Sequence, residues 1–379
     1  MFFKSIEFNG LGPFPEATIL DIEPDVTVLT GRNDVGKSFI LHAIQLLCTS
    51  KPISEQDANL FHVHMGTKIW NENPNLNCTV TAVLTKKTSR FVESAQVGDE
   101  ISIEFTLAPE LYSSRIASHR RDRGVIASAS KKFSHMPRAI TYSSVYEIGN
   151  AIDLFNPNPV EEIFIRRAFG ADAILKLNSS SESVQGIILR QAGRAISQHL
   201  SRILPLEMDM TVHFRLKESL LYVDLEDIYF TSTPLSFRGA GVRKVLSVVS
   251  QLLEIPKDQE CVLLLDEPEN GLHADAQHEL RRFLEGLALS ESIQIIYATH
   301  SPSMINPIRP RTLRLLERTG SNDSFAQYAV TRINNRPIHD NYLNIRNSLG
   351  IWPSDSLLYA PITVIVEGIT EKLCIPYLL

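Results

Sequence analysis

The chain has 379 residues, of which 44% are hydrophobic and 21% are charged. This composition is ordinary for a globular protein, and the length allows two or three domains with a large core. The 37 Lys and Arg residues against 43 Asp and Glu give a net charge of −6. That balance excludes a surface coated in positive charge, although a local basic patch remains compatible with it.

The four cysteines, Cys48, Cys78, Cys261 and Cys374, are scattered and form no CxxC or Cys/His cluster. We therefore expect neither a structural zinc site nor a disulfide framework. No signal-peptide pattern opens the chain, and no apolar run reaches the roughly 18 residues that a membrane span needs. These features predict a cytoplasmic protein that makes no use of a membrane.

Short strands separated by polar turns dominate residues 1–110, which we predict to be the first lobe of an α/β domain. The strand patterns lie at Phe2–Phe8, Ala17–Ile22, Val26–Leu29, Asn77–Leu84 and Glu100–Leu107.

A glycine-rich loop separates the third of these strands from a helix pattern at Lys37–Leu47. The loop matches GxxxxGK[ST] in full, a pattern in which backbone N–H groups turn inward around phosphate oxygens and the helix adds its positive end. Lys37 is expected to reach the β- and γ-phosphates, and Ser38 to place its hydroxyl on Mg²⁺. The alternative is a chance match in a glycine-containing loop. The predicted ATP-binding residues are Gly31, Arg32, Asn33, Asp34, Val35, Gly36, Lys37 and Ser38.

Residues 111–209 have a different character. Helix patterns at Val160–Phe169 and Val184–Leu204, separated by loops rich in Asn, Pro and Ser, predict a helical insertion that could serve dimerisation or DNA contact. Basic residues with interleaved serines cluster in its first part and suit a flexible loop. This cluster is a solvated face, a contact to the DNA backbone or a contact to an acidic partner protein. Its members are Arg115, Arg120, Arg121, Arg123, Lys131, Lys132 and Arg138.

Strand patterns return at Met210–Leu216 and Leu220–Leu225 and open a second lobe over residues 210–355. A loop containing Ser236, Gly239 and Gly241 then precedes an apolar helix pattern. It is either a second anion cradle at a helix start or a plain loop with a helix N-cap. Two phosphate cradles in one chain would capture ATP from two sides.

Two acids follow a buried strand pattern at Cys261–Leu265. We expect Asp266 to hold Mg²⁺ and Glu267 to orient and polarise the attacking water as a general base. The alternative is a pair of solvated carboxylates at a strand end. The next buried strand, Ile293–Ala298, is followed by His300, which either hydrogen-bonds a γ-phosphate as a catalytic residue or is a structural histidine.

Together these motifs resemble the ABC ATPase superfamily, and within it the DNA-maintenance branch that includes SMC, RecF and the OLD (overcoming lysogenisation defect) nucleases. Gly31–Ser38 resembles the Walker A motif and Cys261–Glu267 the Walker B motif. Glu269–His273 resembles the D-loop region, Ser236–Gly241 a degenerate signature motif, and His300 the switch histidine.

The resemblance implies an ABC-type P-loop core that uses ATP and Mg²⁺. It also implies a homodimer or higher homo-oligomer, in which Ser236, Gly239 and Gly241 of one subunit close on the ATP of the other. Arg243 departs from the pattern, because a glutamine is often found there. The Q-loop glutamine is not clear, and Gln56 is a weak candidate for it.

Residues 360–379 resemble the first strand and helix of a Toprim nuclease domain. A strand pattern at Ile362–Val366 leads into Glu367, and Glu371 follows one helical turn later. Such carboxylates can bind Mg²⁺ for phosphodiester cleavage, although a generic strand–turn–helix with solvated acids gives the same pattern. No Asp-x-Asp follows Glu371, so we expect nuclease activity to need sequence beyond Leu379.

The preferred hypothesis is therefore the ATPase module of an OLD-family DNA nuclease in bacterial antiphage defence. ATP held between two subunits would control DNA binding and cleavage, with DNA and a further defence protein or nucleic-acid component as partners. One alternative is a nuclease-free ATPase that regulates or scaffolds a partner effector. Another is a RecF-like or SMC-like DNA repair ATPase, but the long coiled-coil heptads that would favour SMC are absent from the sequence.

Overall fold

The structure is a computed structural model. It describes residues 2–9, 13–14, 17–49, 78–85, 100–108, 111–121, 124–129, 138–142, 151–157, 159–170, 177, 181–203, 210–227, 229, 231–238, 243, 246, 261–290, 293–306, 308–320 and 329–335. None of the helices in these ranges is long and apolar enough to cross a membrane.

In chain order the strands are β1 Phe2–Asn9, β2 Thr18–Asp21, β3 Val26–Gly31, β4 Cys78–Thr85, β5 Glu100–Ala108, β6 Leu111–Arg121, β7 Gly124–Ala129, β8 Arg138–Tyr142, β9 Ala151–Asp153, β10 Met210–Lys217, β11 Leu220–Asp227, β12 Ser232–Pro234, β13 Cys261–Asp266, β14 Gln294–Thr299, β15 Leu313–Gly320 and β16 Ala329–Asn334. The α-helices are α1 Lys37–Thr49, α2 Pro159–Phe169, α3 Glu182–Ile203 and α4 Ala274–Ser290. Three sheets organise these elements.

The central sheet has the strand order β16-β15-β3-β14-β13-β8, and every neighbouring pair is parallel except β15 with β16. Strands β3, β13 and β14 are buried at nearly every position, as expected for strands covered on both faces. Val28 and Tyr297 pack on the face covered by α3 and α4. Leu29 and Ile296 pack on the opposite face, against α1. The carboxyl ends of β3, β14 and β13 therefore lie side by side, with α1 rising from the first of them.

An antiparallel sheet with the order β2-β1-β4-β5-β6-β7 covers the far side of α1. Phe3, Ile6 and Phe8 of β1 pack in the cluster that also buries Ile40 and Ile44 of α1. This confirms the strand predictions for the first lobe. It also makes α1 the middle layer of a sheet–helix–sheet stack, so the residues at the start of α1 cannot shift without disturbing both sheets.

The third sheet contains β10, β11 and β12, with β9 beside β11. Val212 of β10 faces α3. A side chain on Gly193 of α3 would place its Cβ only 2.4 Å from the Val212 carbonyl oxygen, so glycine permits this close approach. The helices predicted near Val160–Phe169 and Val184–Leu204 are confirmed as α2 and α3.

The prediction of a helical insertion is wrong for its first part, because residues 111–153 contain the strands β6, β7, β8 and β9. Two of these strands extend the antiparallel sheet, and β8 pairs with β13 in the central sheet. Strand β6, with the sequence LYSSRIASHRR, carries few apolar residues and lacks the alternation by which strands are recognised. Antiparallel pairing with β5, the strand directly before it in the chain, decides its conformation.

The basic cluster is correspondingly not a flexible loop where the structure describes it. Arg115 and Arg120 stand in β6 at positions paired with Glu104 and Glu100 of β5, and Arg121 follows in the same strand. Arg138 opens β8. Arg123, Lys131 and Lys132 lie outside the described residues, as do Gln56 and the Toprim-like residues Glu367 and Glu371.

A buried glutamine joins the antiparallel sheet to the central sheet. Gln294, fully buried at the start of β14, accepts a hydrogen bond from the Phe3 N–H at 2.9 Å. Its amide nitrogen donates to the Phe3 carbonyl at 2.7 Å and to the Glu23 carbonyl at 2.8 Å. The Gln294 side chain thus supplies hydrogen-bond partners to three backbone groups where the two sheets meet.

Gln294→Leu is expected to lower the free energy of unfolding by about 2–4 kcal/mol, because it leaves these backbone groups buried without partners. Urea titration followed by circular dichroism measures the change. The matched variant Gln198→Leu, at an exposed position of α3, is expected to stay within about 0.5 kcal/mol of the parent. Equal effects of the two substitutions would contradict the structural role of Gln294.

Candidate functional site

The loop between β3 and α1 has the backbone conformation of a phosphate cradle. Gly31, Asp34 and Gly36 have φ angles of +149°, +62° and +98°. A Cβ on Gly31 would lie 2.4 Å from the Leu316 carbonyl oxygen, and one on Gly36 would lie 2.7 Å from a ring carbon of Pro13. Only glycine fits these two positions, which is the physical reason for the glycines of the sequence motif.

Lys37 lies at the centre of the loop and is only 6% exposed. Its ammonium donates hydrogen bonds to the Gly31 carbonyl at 3.0 Å and to the Arg32 carbonyl at 2.8 Å. Burial lowers the pKa of Lys37, and the nearby carboxylates of Glu267 and Asp266 oppose that shift. The loop therefore holds a desolvated cation, which favours contact with a polyphosphate.

The carboxyl end of β13 brings Asp266 to the start of α1, where the Ser38 hydroxyl donates a hydrogen bond to the Asp266 carboxylate. Burial raises the pKa of Asp266, although this hydrogen bond and the charge of Lys37 act in the opposite direction. Hydroxyl and carboxylate oxygens are ligands that Mg²⁺ prefers, and Mg²⁺ keeps several waters beside one or two protein ligands. Ser38 and Asp266 thus fit a magnesium site, whereas no group of three His, Cys, Asp or Glu in the described ranges could hold a metal ion.

Glu267 and His300 face each other beyond the ends of β13 and β14. The His300 Nε2 atom lies 3.2 Å from the Glu267 carboxylate, and both side chains are about one-third exposed. Glu267 has a φ of +46°, and its N–H donates to the Ala298 carbonyl at 3.0 Å. Burial and the charge of Lys37 lower the pKa of His300 below its ordinary value of 6.5, so a neutral imidazole faces the carboxylate at neutral pH.

Glu267 in the left-handed region is an uncommon conformation for a residue that is not glycine. This conformation bends the chain sharply after β13 and leaves the Glu267 carboxylate about one-third exposed beside the loop. The Glu267 backbone N–H stays bonded to β14. Strained backbone of this kind is concentrated at functional sites, where the surrounding structure holds it in place. Here the anchor is the adjacent parallel strand.

This turn is supported by a buried acid of the D-loop-like segment Glu269–His273, to which the sequence analysis assigned no individual role. Glu269 is 5% exposed, and the Thr299 hydroxyl donates a hydrogen bond to its Oε1 atom. Its Oε2 atom has no hydrogen-bond partner among the described residues. Burial raises the pKa of Glu269, opposed by the Thr299 hydrogen bond. The sequence offered no signal for this role, because Glu269 is one more acid in a polar turn.

The residue after His300 is tied to the same turn by a second contact. The Ser301 hydroxyl donates to the Gln277 side chain of α4, whose amide nitrogen donates to the Leu272 carbonyl at 2.8 Å. The Ser301 N–H also donates to the Thr299 hydroxyl at 3.0 Å. Both neighbours of His300 are therefore fixed to the segment that follows Glu267, which sets the distance between the two predicted catalytic side chains.

The structure brings the Walker A residues, Asp266, Glu267 and His300 together at one edge of the central sheet. The second cradle is described only in part. Ser236 lies in a short 3-10 turn, Leu235–Phe237, and Gly239 and Gly241 lie outside the described residues. Arg238 follows this turn, and its guanidinium donates to the Leu225 carbonyl at 3.0 Å and lies 3.4 Å from the Asp227 carboxylate.

A parallel sheet with a phosphate loop after β3 and paired acids after β13, with β14 between these two strands, defines a P-loop ATPase domain of the ABC type. Residues 26–306 match the family described as "AAA domain, putative AbiEii toxin, Type IV TA system", and the chain belongs to that family. The resemblance to OLD nucleases is confirmed by the OLD nuclease of Thermus scotoductus, which is 30% identical over 112 residues. The alignment covers 29% of this chain and 21% of that protein, so the chain matches about a fifth of the relative's length.

Solved structures give the same fold. The Smc head bound to the C-winged helix domain of ScpA superposes with a TM-score of 0.56 at 13% identity, covering 89% of this chain and 98% of that one. The Smc head with an extended coiled coil, bound to the C-terminal domain of ScpA derived from Pyrococcus furiosus, gives 0.52 at 12% identity, covering 88% and 96%. At these identities the likeness establishes the fold alone.

The raised pKa of Glu269 has a consequence for stability. A carboxyl whose pKa is higher in the folded state stabilises the fold fully below the unfolded pKa of about 4.5, and that contribution is lost as the pH rises through the folded pKa. Glu269→Gln cannot ionise and escapes the loss. The variant's free energy of unfolding is therefore expected to rise relative to the parent's as the pH increases above 4.5.

Denaturant titrations of both proteins at pH 4.5, 6 and 7.5 measure this difference. Glu317→Gln, at an exposed position of β15, serves as the matched control and is expected to show a much smaller dependence on pH. A difference between Glu269→Gln and the parent that falls with pH, or stays constant, would contradict the raised pKa.

Proposed function

We propose that this domain binds ATP with Mg²⁺ and hydrolyses it. The observation that carries the proposal is the convergence of Lys37, Ser38, Asp266, Glu267 and His300 at the carboxyl ends of three adjacent parallel strands. Ligands of open α/β sheets bind at this edge. The family match over residues 26–306 supports nucleotide binding at this position.

In this proposal the loop N–H groups and Lys37 grip the phosphates. Lys37 is held inside the loop by the Gly31 and Arg32 carbonyls, so little reorganisation is needed to meet an anion. Ser38 and Asp266 would hold Mg²⁺, which when bound neutralises charge on the phosphate oxygens. Arg32, Asn33 and Asp34 form the exposed rim of the loop.

Glu267 would orient the attacking water and accept its proton. Its carboxylate is accessible, lies next to the magnesium-binding acid and is oriented by His300 at 3.2 Å. His300, neutral near pH 7, carries one N–H. Carboxylate and phosphate oxygens both accept hydrogen bonds, so this N–H can donate either to Glu267 or to a terminal phosphate. The two residues thus divide the work of positioning and proton transfer.

The proposal includes a second subunit. Ser236, Gly239 and Gly241 resemble the signature motif that contacts ATP across a dimer in ABC ATPases, and the fold is that of the Smc heads. Arg238 anchors the chain just after Ser236 to β11, which gives this loop a fixed base. The signature-like residues and the fold shared with the Smc heads together support a homodimer with ATP between the subunits.

Glu267→Gln is expected to lower ATP turnover by about 100-fold or more, because an amide cannot accept the proton from water. The dissociation constant for ATP, measured by titration with a fluorescent analogue in the presence of Mg²⁺, is expected to change by less than about threefold. Glu317→Gln, exposed on β15, provides the control with parental turnover. Undiminished hydrolysis by Glu267→Gln would remove the base assignment.

We further propose that ATP turnover here controls the cleavage of DNA, in defence against phage. The support is the alignment with the Thermus scotoductus OLD nuclease and the Toprim-like pattern around Glu367 and Glu371. Those two carboxylates would bind the Mg²⁺ of the nuclease, which is separate from the ATPase ion. DNA is the expected partner of the assembled protein.

In protein that carries this domain together with a complete Toprim region, Glu367→Ala is expected to abolish cleavage of supercoiled plasmid DNA. ATP hydrolysis is expected to remain within about twofold of the parent, because the substitution leaves the Walker residues intact. Agarose gels and a phosphate-release assay on the same samples separate the two activities. Parental cleavage by Glu367→Ala would favour the nuclease-free, regulatory alternative.

A further inference from the structure

The phosphate loop is held from outside by a residue almost three hundred positions away in sequence. Thr331 of β16 is 1% exposed, and its hydroxyl donates a hydrogen bond of 2.7 Å to the Val35 carbonyl. The Thr331 N–H donates in turn to the Pro13 carbonyl at 3.0 Å. One residue thus bridges the loop and the segment that packs against it. Thr331 lies outside the span that matches the family, residues 26–306.

The geometry of the peptide bond turns this contact into a constraint on the phosphate site. The described chain has no cis peptide bond, and in a trans peptide the C=O and the following N–H point in opposite directions. The hydrogen bond from Thr331 holds the Val35 carbonyl pointing out of the phosphate loop. The Gly36 N–H therefore points into the loop. The inward N–H groups are those through which such loops bind phosphate.

Pro13 acts on the next residue of the same loop. Its ring occupies the space that a Gly36 side chain would need, at 2.7 Å from an ideal Cβ. Phe14, fully buried, stacks on Phe8 of β1 at 5.2 Å between ring centroids and packs against Phe39 of α1 at 6.1 Å. The Pro13 segment is therefore anchored to the core, and Thr331 connects the loop to that anchor.

We propose that Thr331 is a positioning residue for nucleotide binding, which orients the Val35–Gly36 peptide so that the Gly36 N–H faces the phosphates. This inference rests on the proposed ATP site. It assigns part of the affinity of that site to the antiparallel edge strand β16, and so makes ATP binding depend on the β15–β16 hairpin. A hydroxyl at position 331 is required, whereas the methyl group of threonine is not.

The test compares Thr331→Val, Thr331→Ser and Thr312→Val. Thr312 is the matched control, because it is 3% exposed and its hydroxyl also donates to a backbone carbonyl, that of Arg309, at 2.8 Å, away from the phosphate loop. The measurements are the dissociation constant for a fluorescent ATP analogue with Mg²⁺ and the thermal midpoint of unfolding.

Thr331→Val is expected to raise the dissociation constant by about three- to tenfold, the loss of one aligned hydrogen bond. Thr331→Ser is expected to bind like the parent, and Thr312→Val to bind like the parent while losing a similar amount of thermal stability. Parental affinity in Thr331→Val would overturn the proposal, and so would equal losses of affinity in Thr331→Val and Thr312→Val. A parent protein that binds no nucleotide would instead refute the proposed function.

Hydrogen exchange on the parent protein decides the matter if Thr331→Val does not fold. Coupling between two binding events is reciprocal, so if ATP binding depends on the Thr331 contact, bound ATP must stabilise that contact. Bound ATP must therefore slow exchange of the Thr331 N–H, which donates to the Pro13 carbonyl. We expect at least about threefold slower exchange in a peptide covering β16 when ATP and Mg²⁺ are added. Protection of the phosphate loop with unchanged exchange in β16 would overturn the proposal.

Discussion

The parallel pairing of β14 with β3 on one side and with β13 on the other is the constraint on which the site depends. In register, Thr299 of β14 is paired with Thr30 of β3, and Ala298 is paired with Asp266. The three strands therefore end at one level, and each contributes its chemistry in the residues that follow. A slip of one position would move Asp266 away from the start of α1 and turn its side chain to the other face. Burial of both faces of the sheet makes such a slip costly.

Charge burial is the second organising feature of this edge. Lys37, Asp266 and Glu269 are all partly or fully desolvated. Burial lowers the pKa of Lys37 and raises the pKa of both acids, which in each case favours the neutral form. Isolated buried charges are unfavourable, and here the Lys37 ammonium lies close enough to both acids to compensate their charge. Hydrogen bonds from Ser38 to Asp266 and from Thr299 to Glu269 offset part of the desolvation cost of these acids. A site built in this way is polar and preorganised, which suits the proposed binding of a magnesium–triphosphate complex.

Local sequence was sufficient wherever an element carries its own pattern. The strand–loop–helix at Gly31–Ser38 and the buried strand before Asp266 were both predicted at the positions where the structure has them. The helices α2 and α3 were predicted from their apolar spacing. Strand β6 was missed because its polar composition shows no alternation, and it is a strand because β5 pairs with it. The structural roles of Glu269 and Thr331 were missed for a different reason, since they lie in contacts with Thr299 and Val35 that leave no trace in the neighbouring residues.

The sequence by itself determined the chemistry of the phosphate loop and the acids that serve it, because glycine, lysine, serine and carboxylates at these spacings suit few other purposes. Only the tertiary structure decided that Glu267 faces His300, that Glu269 is buried beneath them, and that β16 holds the loop from outside. The physical reason is that a motif depends on residues adjacent in the chain. The orientation of a side chain or a peptide depends on packing and hydrogen bonds between strands that are distant in sequence, and these form only when the whole sheet is assembled.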